Sequence, residues 1–389
     1  MATRSFRHFA PASRLFYGDD CLTHLPAELS RLGARRAVVF CGRTLAQATP
    51  GLATIQASLG SLYAGVFAGV VEQTPLAAVD AGVDALRDMQ ADAVIALGGG
   101  SAVVTARAAT VLHGEGGTAH DLCTVFTPGR PPVSPKLLKP KLPQFVVPST
   151  PTTAYAKNGA AISLAGAGRR LSLFDPKSRA QAIFFVPELF GATPERLVID
   201  ASLDAFAQAI QGLESDRREP LADALLLHGV RLIRRAFDAA MNPPAASRRG
   251  DLMLAAQLIG EGTDYTGAGA ASAIGHAIGA RFGVGNGSVK TVVLPHTLRF
   301  NAPITRDRLI DVADALGVSG ANIDVPAAVS RACRDFSDAL GVPSRLRDLR
   351  IPHDALPQIA EDVANDWFLT QNPRPMPHAE LMTLLEAAW

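Results

Sequence analysis

Read for spacing alone, the chain changes its period part-way along. In the first half, short apolar runs alternate with stretches of helical spacing. After a lead-in containing Phe16-Tyr17-Gly18-Asp19-Asp20, Leu22, Leu25, Leu29 and Leu32 fall on one helical face, and Arg36-Ala37-Val38-Val39-Phe40 then reads as a strand. The alternation predicts a helix over 44–59, a strand over 63–70, a helix over 76–89, a strand over 93–97 and further strands at Phe145-Val146-Val147 and Ala182-Ile183-Phe184-Phe185-Val186. Strands and helices in this order imply right-handed βαβ crossovers and a mostly parallel sheet. From about Thr193 the period becomes helical: Thr193-Pro194-Glu195 makes a helix start, Leu203, Phe206, Ala207, Ile210 and Leu213 form one stripe, and Leu221, Leu225 and Leu232 form another. The expected division is an α/β domain over 1–190 and an all-helical domain over 191–389.

One stretch of the first half carries more than a fold. Ala93-Val94-Ile95-Ala96-Leu97 reads as a fully buried strand, and Gly98-Gly99-Gly100-Ser101 follows it, with Ser101 a candidate cap for a helix through Ala102, Val103, Ala106 and Ala108. A strand feeding a glycine turn and a helix N-terminus directs unpaired amide N–H groups and the positive end of a helix dipole at one spot, which suits a diphosphate. A bare strand-to-helix turn has the same pattern. The stretch from His113 to Lys141, with Gly129-Arg130-Pro131-Pro132 and Lys136-Leu137-Leu138-Lys139-Pro140-Lys141, reads as a long exposed loop.

Composition narrows the classes of function. The 389 residues exceed what one core of about 250–300 residues supports, so two cores are expected. Lys and Arg number 37 against 36 Asp and Glu, and neither sign is in excess, which argues against nucleic acid or an anionic membrane and for a small-molecule partner. Cys21, Cys41, Cys123 and Cys333 are scattered without a CxxC pair, as buried thiols in a reducing compartment would be. The N-terminus has no long apolar core, and no run reaches the roughly 18 apolar residues of a membrane span. A cytoplasmic protein is expected.

In the helical half, Asp204 and Gln208 are four apart on one helix, as are Ser272 and His276 in Ala271-Ser272-Ala273-Ile274-Gly275-His276-Ala277-Ile278-Gly279. Residues so spaced share a face, so each pair can present two polar groups to one cleft, or can instead belong to a hydrogen-bonded helix face. His276 reads equally as a satisfied core histidine or a catalytic one. Gly283-Val284-Gly285-Asn286-Gly287-Ser288 reads as a flexible polar loop leading to Lys290 and the apolar run Val292-Val293-Leu294-Pro295.

These segments together carry a resemblance. The glycine turn, Val146-Val147-Pro148-Ser149-Thr150-Pro151-Thr152-Thr153-Ala154, Asp204-Ala205-Phe206-Ala207-Gln208-Ala209-Ile210-Gln211, Gly275-His276-Ala277-Ile278-Gly279-Ala280, Leu294-Pro295-His296 and Asn372-Pro373-Arg374-Pro375 resemble, in this order, the iron-dependent alcohol dehydrogenase family. The last of these with the end of the chain, and Leu294-Pro295-His296 with Asn301-Ala302-Pro303, are most similar to its maleylacetate reductase branch. The resemblance implies a dehydroquinate synthase-like arrangement: an N-terminal α/β dinucleotide-binding domain with a parallel sheet, an all-helical C-terminal domain, a cleft between them, and a homodimer. It implies hydride transfer from a nicotinamide to a carbonyl.

The resemblance assigns Gly98, Gly99, Gly100, Ser101, Thr150, Thr152 and Thr153 to the cofactor, and His276 to a proton relay beside the nicotinamide, as first choice for general acid. Metal-holding members use one Asp and three His. Asp204 matches the Asp, but the histidine positions fall on Gln208, Ser272 and Asn286, poor ligands for zinc or ferrous iron, so no catalytic metal is expected and these three become candidate substrate contacts. Arg107 replaces the usual Lys of the glycine-turn helix, Val104 stands where alcohol dehydrogenases have Asp and maleylacetate reductases Gly, and the usual Gly-Ser-Glu is lost around Tyr155, Ala156, Lys157 and Asn158. Without a metal, preorganised donors must stabilise the oxyanion. Lys290 and Lys157 are candidates for holding a carboxylate, Lys290 with Asp204 and His276 in the catalytic set and Lys157 with Tyr155 in the substrate set. Arg43 follows the first core strand, and Gly42 before it offers no acid to repel a 2′-phosphate, so both NADH and NADPH stay open.

Two functions are compatible with this sequence. One is a metal-independent NAD(P)H-dependent reductase of a small oxo acid or aldehyde. The other is the same fold turned to non-redox chemistry (hydrolysis, C–C cleavage or cyclisation) or to ligand binding alone. Loss of the ligand positions favours the second; the glycine turn, the threonine loop and His276 favour the first.

Overall fold

A computed structural model describes residues 5–9, 11–126, 132–164, 170–238 and 245–389; Gly129, Arg130 and Pro131 of the expected loop lie outside the described residues. The first half contains a six-stranded sheet of β1 (Arg14–Tyr17), β2 (Ala37–Phe40), β3 (Tyr63–Phe67), β4 (Ala93–Gly98), β5 (Gln144–Pro148) and, beyond a two-stranded antiparallel hairpin of β6 (Gly159–Ser163) and β7 (Arg170–Phe174), β8 (Ala180–Phe185). The sheet is parallel throughout, in the order β1-β8-β5-β4-β2-β3. From β2 the chain steps outward to β3, then crosses back to β4 and builds the other way. The strand order therefore reverses between β2 and β4, and in open α/β sheets ligands bind outside the carboxyl ends of the strands at such a point.

Around the sheet run α1 (Leu25–Arg31), α2 (Arg43–Gln47), α3 (Gly51–Leu59), α4 (Leu76–Asp88), α5 (Gly100–Glu115), α6 (Ala119–Leu122) and α7 (Pro187–Gly191). Helices then follow one another: α8 (Glu195–Glu214), α9 (Pro220–Ala236), α10 (Ala245–Thr266), α11 (Ala270–Phe282), α12 (Asn286–Thr305), α13 (Leu309–Leu316), α14 (Val325–Ala339), α15 (Leu356–Ala364) and α16 (His378–Ala388). The pleat sorts each strand's side chains to two sides. Val39, Ile95, Leu97, Phe145, Val147 and Phe184 pack with Leu25, Leu29, Ile55 and Leu59 of α1 and α3 on one side. Val38, Phe40, Val94, Ala96, Val146 and Ile183 belong, on the other side, to a core that runs through α4 and α5 into the helical half.

Several sequence expectations change here. The helix expected over 44–59 is two helices, because Pro50 cannot continue α2 and instead precedes the first residue of α3. The lead-in around Phe16-Tyr17 is an edge strand, and the hairpin of β6 and β7 has no counterpart in the expected elements. The expected loop from His113 begins inside α5, which runs to Glu115, and contains α6, opened by a reciprocal Thr118–Asp121 capping box. Ser101 is not the cap of α5: the helix opens at Gly100 with Gly99 in the N-cap position and no side-chain cap. Gly98 turns the chain at φ +138°, a conformation open to glycine and little else. Gly285-Asn286-Gly287-Ser288 is no flexible loop but the start of α12, where Asp200 accepts the Ser288 backbone N–H at 2.8 Å and its hydroxyl at 2.7 Å. A Cβ on Gly287 would collide with the Asp200 carbonyl, so the small residues serve close packing of α12 on α8. Among the described residues no helix is long and apolar enough to cross a membrane.

Candidate active site

The turn after β4 and the threonine loop after β5 fit against each other. A Cβ on Gly99 would stand 2.9 Å from Thr150 Oγ1 and one on Gly100 3.0 Å from Thr152 Oγ1, so the glycines let the loop sit directly on the start of α5. Gly100, Ser101, Thr152 and Thr153 face a cavity of about 890 Å³ lined by both the sheet half and the helical half. Gly98, Gly99 and Thr150 stand behind that lining, and Arg43 is exposed at the start of α2, at the carboxyl end of β2. The cavity is thus reached by the amide-rich start of a 16-residue helix at the strand-order reversal, the arrangement that favours an anionic ligand group.

In the cavity, Asp204, Gln208, Asn286, Lys290 and His276 of the helical half converge with Lys157 of the segment between β5 and β6. Asp204 and Gln208 lie one turn apart on α8, and Asn286 and Lys290 one turn apart on α12, so each pair shares a face. They form one polar chain. Lys157 Nζ donates to Gln208 Oε1 at 2.9 Å, Gln208 Nε2 donates to Asp204 Oδ2 at 2.6 Å, and Lys290 Nζ pairs with Asp204 Oδ1 at 2.5 Å. Thr153 Oγ1 adds a second donor to Gln208 Oε1 at 3.2 Å. Burial works against the Asp204 carboxylate, but Lys290, His276 and the Gln208 amide outweigh it and hold its pKa below the ordinary carboxylate value. Burial pulls the Lys157 ammonium down to about 8, with Lys290 and Arg107 acting in the same direction and Asp264 and Asp204 against them.

His276 projects from α11 into the same cavity, its Nδ1 3.0 Å from Asp366 Oδ2 and its ring against Phe368. A carboxylate can only accept, so the Nδ1 proton points at Asp366 and Nε2 is left for the cavity. Burial lowers the imidazole pKa, the charge of Asp366 opposes this, and Arg170 and Lys290 add to it. Arg170 of β7 is half-buried in the cavity wall, donates to Gln73 Oε1 at 2.5 Å, and keeps its buried Nε without a partner.

Two expected contacts are corrected. Tyr155 is fully buried, with its hydroxyl donating to the Met253 carbonyl at 2.7 Å, and Ser272 is buried on the inner face of α11, where its Oγ accepts from Gln211 Nε2 at 3.1 Å. Neither lines the cavity. Arg107, the departure in the glycine-turn helix, is fully buried and donates to the carbonyls of Ala154 (2.9 Å), Gly159 (2.9 Å) and Ser178 (3.3 Å), fastening the segment that carries Lys157 to α5. Asp366, Arg170 and Phe368 escape the sequence reading. The only local signal was Asp366 before an apolar pair, where its Oδ1 accepts the Phe368 N–H at 2.8 Å and opens a short 3-10 turn.

The donor set does not suit a divalent cation. Asp204 Oδ2 accepts from Gln208 and its Oδ1 is held in the ion pair with Lys290, both ends of the Gln208 amide are engaged, Ser272 faces Gln211, and Asn286 Oδ1 is buried without a hydrogen-bond partner. Among the described residues no three His, Cys, Asp or Glu side chains cluster as a metal site would need.

Residues 12–187 match the family model described as iron-containing alcohol dehydrogenase, and residues 198–389 match that of the Fe-containing alcohol dehydrogenase family, C-terminal. Lactaldehyde reductase of Escherichia coli is 25% identical over 379 residues, covering 96% of this chain and 97% of that protein. Maleylacetate reductase 2 of Cupriavidus pinatubonensis is 27% identical over 390 residues, covering 98% and 96%. Among solved structures, maleylacetate reductase from Rhizobium sp. superposes with a TM-score of 0.78 at 23% identity, over 100% of this chain and 99% of that one. Sulfoacetaldehyde reductase from Bifidobacterium kashiwanohense in complex with NAD+ superposes with a TM-score of 0.83 at 17% identity, over 99% of each chain.

Proposed function

Because the chain belongs to the iron-containing alcohol dehydrogenase family, whose named relatives here are oxidoreductases of alcohol or aldehyde groups, we propose that it reduces the carbonyl of a small oxo acid or aldehyde with NADH or NADPH, as maleylacetate reductase reduces its substrate, and without a catalytic metal. The cofactor's phosphates belong at the start of α5, where Gly100 and Ser101 meet Thr152 and Thr153; bound there, the nicotinamide supplies the hydride. His276 exchanges the proton of the substrate oxygen through Nε2, oriented by Asp366 through Nδ1. Lys157 and Arg170 supply positive charge on the cavity wall for a substrate carboxylate. The observation that carries the metal-free reading is the closed chain from Lys157 through Gln208 and Asp204 to Lys290, which uses up the donors a metal would take.

The test is a titration of purified protein with NADH and NADPH followed by nicotinamide fluorescence, then turnover with a panel of 2-oxo acids, oxo-dicarboxylic acids and aldehydes before and after exhaustive chelation. Expected are binding of at least one cofactor and an unchanged rate in chelator. Failure to bind either cofactor at millimolar concentration overturns the reductase reading, and zinc or iron retained stoichiometrically through dialysis overturns the metal-free one.

A further inference from the structure

Lys290 is buried to 1% exposure on α12, yet it is among the residues that line the cavity. An ammonium carries three donors, and the described contacts give this one a single partner, Asp204 Oδ1, leaving two N–H groups for a ligand. Its stem is fixed as well. It lies across the α11 backbone at Gly275, where a Cβ would stand 2.8 Å from Lys290 Cγ and 3.1 Å from Cε. Asn286, one turn before it on α12, presents a buried unpartnered oxygen, and His276, one residue after Gly275, senses the ammonium's charge. A charged donor that is anchored, desolvated and still unsaturated is what a developing oxyanion requires.

Building on the reductase reading, we propose that the Lys290 ammonium is the electrophile of this site, binding the substrate's carbonyl oxygen and holding the negative charge that develops there, with Asp204 as its positioning residue. The carbonyl carbon takes the hydride, with both its electrons, from the reduced nicotinamide. The C=O π pair retreats onto oxygen, which Lys290 holds by its N–H groups, and the proton that completes the hydroxyl comes from imidazolium His276, recharged from solvent. Lys157 does not fill this role. Its N–H is given to a neutral amide, and its ammonium sits 5.8 Å from the centre of the Phe368 ring, toward the side of the cavity assigned to a substrate carboxylate.

The test compares Lys290→Met, Lys290→Ala and the double variant Asp204→Asn/Lys290→Met, which removes both charges and so avoids stranding a buried carboxylate. Removing an oxyanion donor predicts a fall in kcat of about 10²–10³-fold in all three, with the dissociation constant for NADH or NADPH within about threefold of wild type. Methylammonium, which carries N–H groups, restores turnover of Lys290→Ala in proportion to its concentration, and tetramethylammonium, which carries none, does not. Turnover within about threefold of wild type in the double variant, or equal rescue by both cations, overturns the assignment. A wild-type protein that binds no nicotinamide instead overturns the reductase reading, so the two failures are separable.

Discussion

Replacing Arg107 by Met measures how far the cavity depends on one buried cation outside it. The guanidinium is fully buried and bonds three main-chain carbonyls, two of which bracket the segment from Ala154 to Gly159 that carries Lys157. Methionine fills similar volume but leaves the three acceptors unpaired, at about 1–3 kcal/mol each, or roughly 3–9 kcal/mol gross. Part of this returns because no charge need be buried; that burial is strong enough to push the guanidinium pKa down to about 9. The net expectation is about 2–4 kcal/mol, felt first as local opening of the segment. At about 1.4 kcal/mol per tenfold, amide hydrogen exchange over residues 153–163 should accelerate roughly 30- to 1,000-fold, with exchange in α16 unchanged. Arg107→Lys, which keeps a charge but not the planar fork, should fall between the two. Exchange within about threefold of wild type in Arg107→Met would refute the claim that this side chain fastens the Lys157 segment.

Other expectations follow from the same geometry. The proposed reduction draws its proton from His276, whose pKa is lowered by burial, so the reductive rate should fall as pH rises through a value below that of free histidine while alcohol oxidation rises over the same range. Asp366→Asn, which removes the opposing charge, should move both limbs to lower pH, and pH–rate profiles that do not move would return Asp366 to a capping role. Gly275→Val should displace the Lys290 stem and lower kcat toward that of Lys290→Met with nicotinamide affinity retained, read by steady-state kinetics and fluorescence. Glu214, buried and hydrogen-bonded by Asn301 and Thr305, has its pKa raised by burial to about 8. Its contribution to stability is full below the ordinary carboxylate value of 4.5 and is lost as pH rises through about 8, so Glu214→Gln should flatten the pH dependence of the urea midpoint over that interval.

How much of this was legible depended on whether sequence distance and spatial distance agreed. Strands β2, β4, β5 and β8 and helices α4 and α5 could be read because their burial follows a local period. The hairpin strand Gly-Ala-Ala-Ile-Ser has too few β-branched or aromatic residues to declare itself, and Arg170 on its partner strand went unseen with it. The start of α12 read as a loop because two glycines lower helix propensity, whereas packing on Asp200 demands them. Within the site, Asp204 and Gln208 of α8 were found by spacing and His276 of α11 as one member of such a pair, whereas Asn286 was reached through the resemblance, its stretch having been read as a loop. His276 and Asp366 are 90 positions apart, and no pattern in the chain joins them. Lys290 was found as a charge, but only the structure shows that its partner is Asp204 and not solvent. The glycine turn was read as an open cradle. Because Gly99 packs on Thr150, a bulky residue there would disturb the threonine loop whether or not a phosphate binds.

On the metal-free reading proposed for this site, charge accounts for Gln208, Ser272 and Asn286 standing at the expected histidine positions. A divalent ion on one aspartate and three neutral histidines leaves a single net positive charge in the cleft. Asp204 with Lys290 and Lys157 leaves the same below the Lys157 pKa of about 8, so on that reading these side chains carry the charge that a metal would bring. The substitution is not equal in strength. One ammonium withdraws less charge from an oxygen than a divalent ion, so the burden of neutralising the oxyanion shifts toward the proton donor. In the proposed reduction His276 must then be held in one orientation and one tautomer when the hydride arrives, and the Asp366 carboxylate on its far nitrogen is placed to do that. Gln208 completes the logic: a histidine there would offer a lone pair to the space Lys290 now neutralises, whereas an amide donates to Asp204 with one end and accepts from Lys157 with the other, tying the two cations to one carboxylate.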